Sequence, residues 1–230
     1  MIVNILIDFE TAAKSERAAI LSIGAVPFVL PSENILFIDP VTGGNLIFSD
    51  VLRRDCGEFF TTINATSCVM EGMEFDQDTV NWWSRQSPEA KSQFSSDTNS
   101  LMNVEQAFIA LINFIRSIKQ KYECDICIWT QGTDFDIPKL RYCCTRIAEI
   151  SEDNLPWRYN AVRDARTYVL EGLALLFGRK PVKEAYKDIP DNPEAASLVT
   201  HDVLSDCYKS IWSVTQVNQM LMQAIREKQE

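Results

Sequence analysis

At 230 residues and 46% apolar content, the chain can build one large or two small domains around a sizeable core. Its formal net charge of −10 argues against gripping a long duplex through a basic face. That charge still suits an enzyme touching a few nucleotides at a strand end, where part of the acidity serves as metal ligands. The longest apolar stretch, 18–30, is too short to span a bilayer and contains Pro27.

Residues 2–8 are β-branched and apolar, which predicts a strand, and 19–30 predict a second. The short polar link between them makes the two antiparallel neighbours. Pro31-Ser32-Glu33 marks a turn, and 35–38 and 45–51 read as further strand material around Gly43-Gly44. Residues 76–86 predict a helix carrying Trp82-Trp83, and 95–100 a polar loop. Phe108, Leu111, Ile112, Ile115 and Ile118 recur at helical spacing, so 104–119 form an amphipathic helix. The run 125–130 has the pattern of a central parallel strand.

Helices are expected over 136–149, 164–177 (ended by Gly178) and 201–223, with loops at 151–157 and 180–198. Strands first, then helices around a central strand, describe one mixed α/β domain over 1–230. Met1-Ile2-Val3-Asn4-Ile5 lacks the basic start of a secretion signal, and the seven cysteines are an odd number, so a reducing cytoplasm is the expected setting. Cys124-Asp125-Ile126-Cys127 has redox or zinc spacing, but no second pair matches it, and buried strand cysteines are the simpler reading.

Three distant segments carry candidate chemistry. Asp8 and Glu10 lie two apart at a strand end, so they share one face and offer the oxygen ligands a hard cation prefers. Asp136 follows an apolar strand and opens a helix, where ligands gather in α/β folds; helix capping also accounts for an aspartate there, and Asp134 competes for the same role. Asp206 interrupts an apolar helical stretch, a costly position for a carboxylate without a partner or a metal. His201, the one histidine, is five residues earlier, off Asp206's helical face, which places it at the start of that helix.

In this order the motifs resemble the DEDDh-type 3′–5′ exonucleases of the RNase H-like superfamily: Asp8-Phe9-Glu10-Thr11, then Phe135-Asp136, then His201 with Asp206. Arg17-Ala18-Ala19-Ile20, Thr79-Val80-Asn81-Trp82-Trp83, Gln86-Ser87-Pro88-Glu89-Ala90, Asp134-Phe135-Asp136-Ile137-Pro138 and Arg163-Asp164-Ala165-Arg166-Thr167 make it similar to the branch holding tailed-phage exodeoxyribonucleases and related bacterial exoribonucleases. Ala12-Ala13 follow Thr11 where many DEDDh enzymes carry a glycine.

The resemblance implies an RNase H-like α/β fold with a mixed sheet of about five strands and helices on both sides. It implies that Asp8, Glu10, Asp136 and Asp206 hold two Mg²⁺ or Mn²⁺ ions and that His201 is the general base, releasing nucleoside 5′-monophosphates from single-stranded 3′ ends of DNA. Exoribonuclease action on RNA ends, or a catalytically silent nucleic-acid-binding module, are the alternatives. Thr11, Trp82, Trp83, Gln86, Phe135, Arg163 and Arg166 are the expected substrate contacts: aromatics for stacking, arginines for phosphate. Core packing competes for the tryptophans, and an ion pair with Asp164 competes for the arginines. The location implied is cytoplasmic, in the host if the gene is a phage's.

Overall fold

The computed structural model describes residues 1–33, 36–38, 45–94 and 101–229. Strand β1 (Ile2–Thr11) is antiparallel to β2 (Ile20–Phe28), as their short polar link predicts. Period two divides β1 cleanly. Val3, Ile5, Ile7 and Phe9 enter one apolar cluster, while Leu6 enters the other, on the face that also carries Asp8 and Glu10. A register shift between Glu10 and Thr11 sets Glu10 opposite Ser22 but Thr11 opposite Ile20, a bulge that redirects the strand just past the acidic pair.

Next come β3 (Leu36–Ile38) and β4 (Asn45–Ile47), a separate antiparallel pair. The expected strand over 45–51 stops at Ile47, because Phe48 and Leu52 pack as one helical face of α1 (Phe48–Cys56). The expected Gly43-Gly44 turn and the 95–100 loop lie outside the described residues. Strand β5 (Phe59–Thr62) pairs antiparallel with β2. Three helices follow: α2 (Ala65–Met70), α3 (Gln77–Ser84) and α4 (Pro88–Ser92). Asp76 caps α3, accepting from the Asp78 and Thr79 N–H groups, and Ser87 caps α4.

Helix α5 (Val104–Tyr122) lays Phe108, Leu111, Ile112, Ile115 and Ile118 on the sheet. Strand β6 (Asp125–Thr130) runs parallel to β1 and to β7 (Val162–Asp164), a three-residue strand too short to show a periodic pattern. Between them α6 (Thr133–Tyr142) starts three residues earlier than expected and widens into a π-turn at Cys143–Ile147 rather than continuing as α-helix to 149.

Helix α7 (Ala165–Phe177), capped by Asp164, ends at Gly178; α8 (Val182–Ala185) interrupts the expected loop; α9 (Val203–Glu227) closes the chain. The resulting sheet has the order β5-β2-β1-β6-β7. Helices α1, α5 and α6 cover one face; α7 and α9 cover the other, through Ala165, Val169 and Leu173 against Cys207, Val214 and Val217. This is the expected mixed α/β sheet with helices on both sides. Among the described residues no helix is long and apolar enough to cross a membrane.

Candidate active site

Gly24 pairs with Asp8 on the β1–β2 ribbon. A methyl group at Gly24 would lie 2.9 Å from Val203 Cβ, so only glycine lets the first turn of α9 settle against the acidic end of β1. The Cys207 thiol on the same helix donates to the Leu6 carbonyl at 3.6 Å. By this contact α9 brings Asp206 and the preceding His201 to Asp8 and Glu10.

His201 lies outside α9, whose N-cap is Asp202. Its φ of 62° is left-handed. Its backbone N–H donates to Asp206 Oδ2 at 3.2 Å, so the five-residue offset is a turn closing on the helix's own carboxylate. Ligand atoms of Glu10, His201 and Asp206 all lie within 4.8 Å of one another. Lys209 donates to Asp206 Oδ1 at 2.7 Å from the next turn.

Asp136 is 3% exposed and sits in the first turn of α6, directly after the β6 edge. Asp134, its competitor, is exposed. Burial, then the neighbouring Asp136, Glu10, Asp206 and Asp202 charges, hold the Asp8 carboxyl well above its usual range. Burial and the charges of Asp206, Asp202 and Asp136 push Glu10 up to about 8. Burial pushes Asp136 up to about 7, against the pull of Lys139 and Arg166. Asp8, Glu10, Asp136, Asp202 and Asp206 therefore form one mutually repelling cluster of five carboxylates. Among the described residues no hydrogen-bond donor meets the carboxylates of Asp8, Glu10 or Asp136. Hard oxygen donors, crowded and only partly offset by Lys209 on Asp206, fit a divalent cation.

A cleft of about 420 Å³ opens beside Glu10. Its walls include Thr11, Lys14, Thr79, Trp82, Trp83 and Phe135. The two tryptophans differ. Trp83 is 8% exposed, packs edge-on against Phe94 and donates its indole N–H to the Thr11 carbonyl at 2.9 Å, so it builds the wall. Trp82 is 37% exposed and meets the His201 ring edge-to-face, centroids 4.8 Å apart. Phe135, also lining the cleft, is 40% exposed. The Thr11 hydroxyl is committed to the Ala13 carbonyl at 2.8 Å.

The sequence matches the 3′–5′ exoribonuclease Rv2179c-like domain over residues 3–217. The chain belongs to that family. It is an enzyme of the 3′–5′ exonuclease class, which speaks against the silent module. It is 24% identical to an exodeoxyribonuclease of Enterobacteria phage T4 over 221 residues, covering 90% of this chain and 86% of the phage protein. Its fold is similar to a 3′-exonuclease solved in 3′-end-specific recognition of a histone mRNA stem-loop (TM-score 0.50, 11% identity, 96% of this chain and 82% of that one). It is equally similar to the nuclease domain of 3′hExo, a DEDDh family member, bound to rAMP (TM-score 0.50, 12% identity, 96% and 92%). These likenesses support the RNase H-like fold.

In this family member three expected substrate contacts besides Thr11 are placed elsewhere or otherwise engaged. The Gln86 side-chain amide donates to the Trp82 carbonyl at 3.0 Å and closes the end of α3, outside the cleft walls. Arg163 donates to the Asn160 and Val162 carbonyls and lines a smaller groove of about 170 Å³ with Asp125, away from the acidic cluster. Trp83 lines the cleft but is fixed as its wall. Arg166 is exposed, and its charge reaches Asp136. Neither arginine pairs with Asp164, whose carboxylate accepts from Thr133 and Thr167 N–H groups at 2.7 Å each.

Cys124 and Cys127 are buried in opposite clusters, which removes them as a zinc or disulfide pair. Sequence reasoning passes over Lys139, 1% exposed, whose Nζ donates to the Phe135 and Lys14 carbonyls at 2.7 and 3.2 Å and lies 3.3 Å from the Phe135 ring centroid. Its signal is the i,i+3 spacing from Asp136. Asp202 is readable as an N-cap by its serine three residues on, and Ser205 N–H indeed donates to it at 2.9 Å.

Proposed function

We propose that residues 1–230 act as a single exonuclease domain that hydrolyses DNA from single-stranded 3′ ends and releases nucleoside 5′-monophosphates. Asp8, Glu10, Asp136 and Asp206 would hold two Mg²⁺ or Mn²⁺ ions. When bound, such cations acidify the attacking water and neutralise charge at the departing oxygen. The observation that carries this reading is the cluster of crowded carboxylates, in which Asp8, Glu10 and Asp136 meet no hydrogen-bond donor among the described residues, with the one imidazole of the chain beside it.

His201 takes the proton of the attacking water: its imidazole can accept a proton and lies beside Glu10 and Asp206. Its ring is kept within reach of Glu10 and Asp206 by the turn that Asp206 closes. Trp82 and Phe135, both exposed and both lining the cleft, stack the terminal base. Arg166, without a carboxylate partner among the described residues, contacts the phosphate. The walls built by Trp83 and Thr11 exclude water around the base.

DNA as substrate is supported by the phage exodeoxyribonuclease relative. RNA is supported by the family's description and depends on contacts to the 2′-OH. The deciding experiment incubates 5′-labelled single-stranded DNA, duplex DNA and RNA with the protein in Mg²⁺, Mn²⁺ or chelator, beside Asp206→Ala. A cation-dependent ladder shortening single-stranded DNA from its 3′ end is expected. A ladder on RNA alone would transfer the reading to RNA ends, and no cleavage of any substrate would sink it.

A further inference from the structure

Gln93, just beyond α4, is a buried amide with every polar group of its side chain engaged. Its Nε2 donates to the His201 carbonyl at 2.6 Å and to the Ala90 carbonyl at 2.8 Å. Its Oε1 accepts from Ser22 Oγ at 2.9 Å. Its backbone carbonyl accepts from Thr62 Oγ1 at 2.7 Å. Two amide hydrogens meet carbonyls and the oxygen meets a hydroxyl, so a single orientation of the amide satisfies all three. Ser22 is the cross-strand partner of Glu10, and Thr62 is the cross-strand partner of Ser22. A continuous set of hydrogen bonds thus runs from the sheet position facing Glu10, through Gln93, to the backbone of His201.

His201 has reason to need this hold. Its left-handed backbone, φ 62°, is strained for a residue with a side chain and persists where surrounding bonds over-determine it. Its N–H is held by Asp206 and its carbonyl by Gln93. With both backbone groups held, the ring stands edge-on to Trp82, with a nitrogen within 4.8 Å of carboxylate oxygens of Glu10 and Asp206.

We propose that Gln93 is the positioning residue of His201: it holds the residue in its left-handed turn and so keeps the imidazole at the acidic cluster. The catalytic consequence rests on the reading of His201 as proton acceptor; the positional claim does not.

The chain has one histidine, so its imidazole C–H signals in a proton–carbon NMR spectrum belong to His201 alone. In the full chain these signals should be displaced by the Trp82 and Trp83 rings, whose centroids lie 4.8 and 6.3 Å away. Gln93→Leu removes the amide. Gln93→Glu keeps the acceptor for Ser22 and loses the N–H that meets His201. In both variants the imidazole signals are expected to move toward free-histidine positions while the Trp83 indole N–H signal, bonded to Thr11, stays and reports an intact fold. Turnover should fall about tenfold or more with KM unchanged, the size of a displaced general base. Imidazole signals that stay put in both variants overturn the proposal; displaced signals with unchanged kcat uphold the hold of Gln93 on His201 and overturn the reading of His201 as proton acceptor. A wild type inert on every 3′ end would instead contradict the exonuclease reading, and the imidazole signals would still decide where Gln93 holds His201.

Discussion

Gly24 and Val203 meet with no space for one more carbon: a methyl group on Gly24 would stand 2.9 Å from both the Val203 carbonyl carbon and its Cβ. The contact sets the height at which α9 crosses the strands, and with it the approach of Asp206 and His201 to Asp8. Gly24→Ala is expected to lower stability by about 1–3 kcal/mol, the usual result of overpacking a close contact. It should lower kcat by more than that loss of folded protein explains. Urea unfolding beside single-turnover rates checks it; a stable variant with full activity contradicts it.

The acidic cluster makes stability depend on pH in a defined direction. Glu10 and Asp136 have carboxyl pKa values pushed up to about 8 and about 7, by burial before any charge. In the unfolded chain both ionise near about 4. The folded chain therefore holds protons that the unfolded chain has released, and stability falls as pH rises from about 4 through 8. In chelator, Tm should drop between about pH 5 and pH 8, and Mn²⁺ should flatten that drop. Asp136→Asn should raise the chelated Tm at the upper end while abolishing turnover. Thermal scans across this range settle the sign.

Trp82 and Trp83 should separate into substrate and scaffold. Trp83→Phe removes the donor that the buried Thr11 carbonyl receives and should cost roughly 1–3 kcal/mol. Trp82→Ala should leave stability nearly unchanged and raise KM for short single strands, with base stacking worth about 1–3 kcal/mol per base. Equal melting temperatures and equal KM values for the two variants would contradict the division.

The two arginines also separate. Arg166→Ala should weaken oligonucleotide binding and lessen its salt dependence without altering Tm. Arg163→Ala, on the other groove, should change neither. Fluorescence titration of a labelled oligonucleotide at two salt concentrations distinguishes them; an unchanged KM with a lower Tm for Arg166→Ala would contradict the phosphate role.

How much of this was legible in the sequence depends on how local each signal is. Period two alone places Asp8 and Glu10 on one face of β1, and the Ile112–Ile115 spacing alone makes α5 a helix. The offset of His201 from Asp206 is likewise local and sets the histidine at the helix entry, although the helix expected from 201 begins only at Val203. What stays hidden is set by tertiary contact. Strand β7 is three residues long, and Phe48 continues an apolar run that only its packing on Leu52 turns into helix. Nothing adjacent to Gln93 marks it as a partner of residue 201, 108 positions away. Arg163 and Arg166 are near neighbours in sequence, but one lies in β7 and the other in the first turn of α7, so Arg163 lines the smaller groove while the charge of Arg166 reaches Asp136.

The central claim is that the carboxylates hold cations while His201 moves a proton, and His201→Ala tests it most directly. The imidazole lies close to Glu10 and Asp206, so the variant separates a ligand from a base. Mn²⁺ binding by calorimetry and 3′-end turnover are measured on the same preparation. Turnover should fall by about 10²–10⁴-fold, the usual contribution of a general base, with Mn²⁺ affinity and stoichiometry retained. Loss of Mn²⁺ binding in step with turnover would contradict the account.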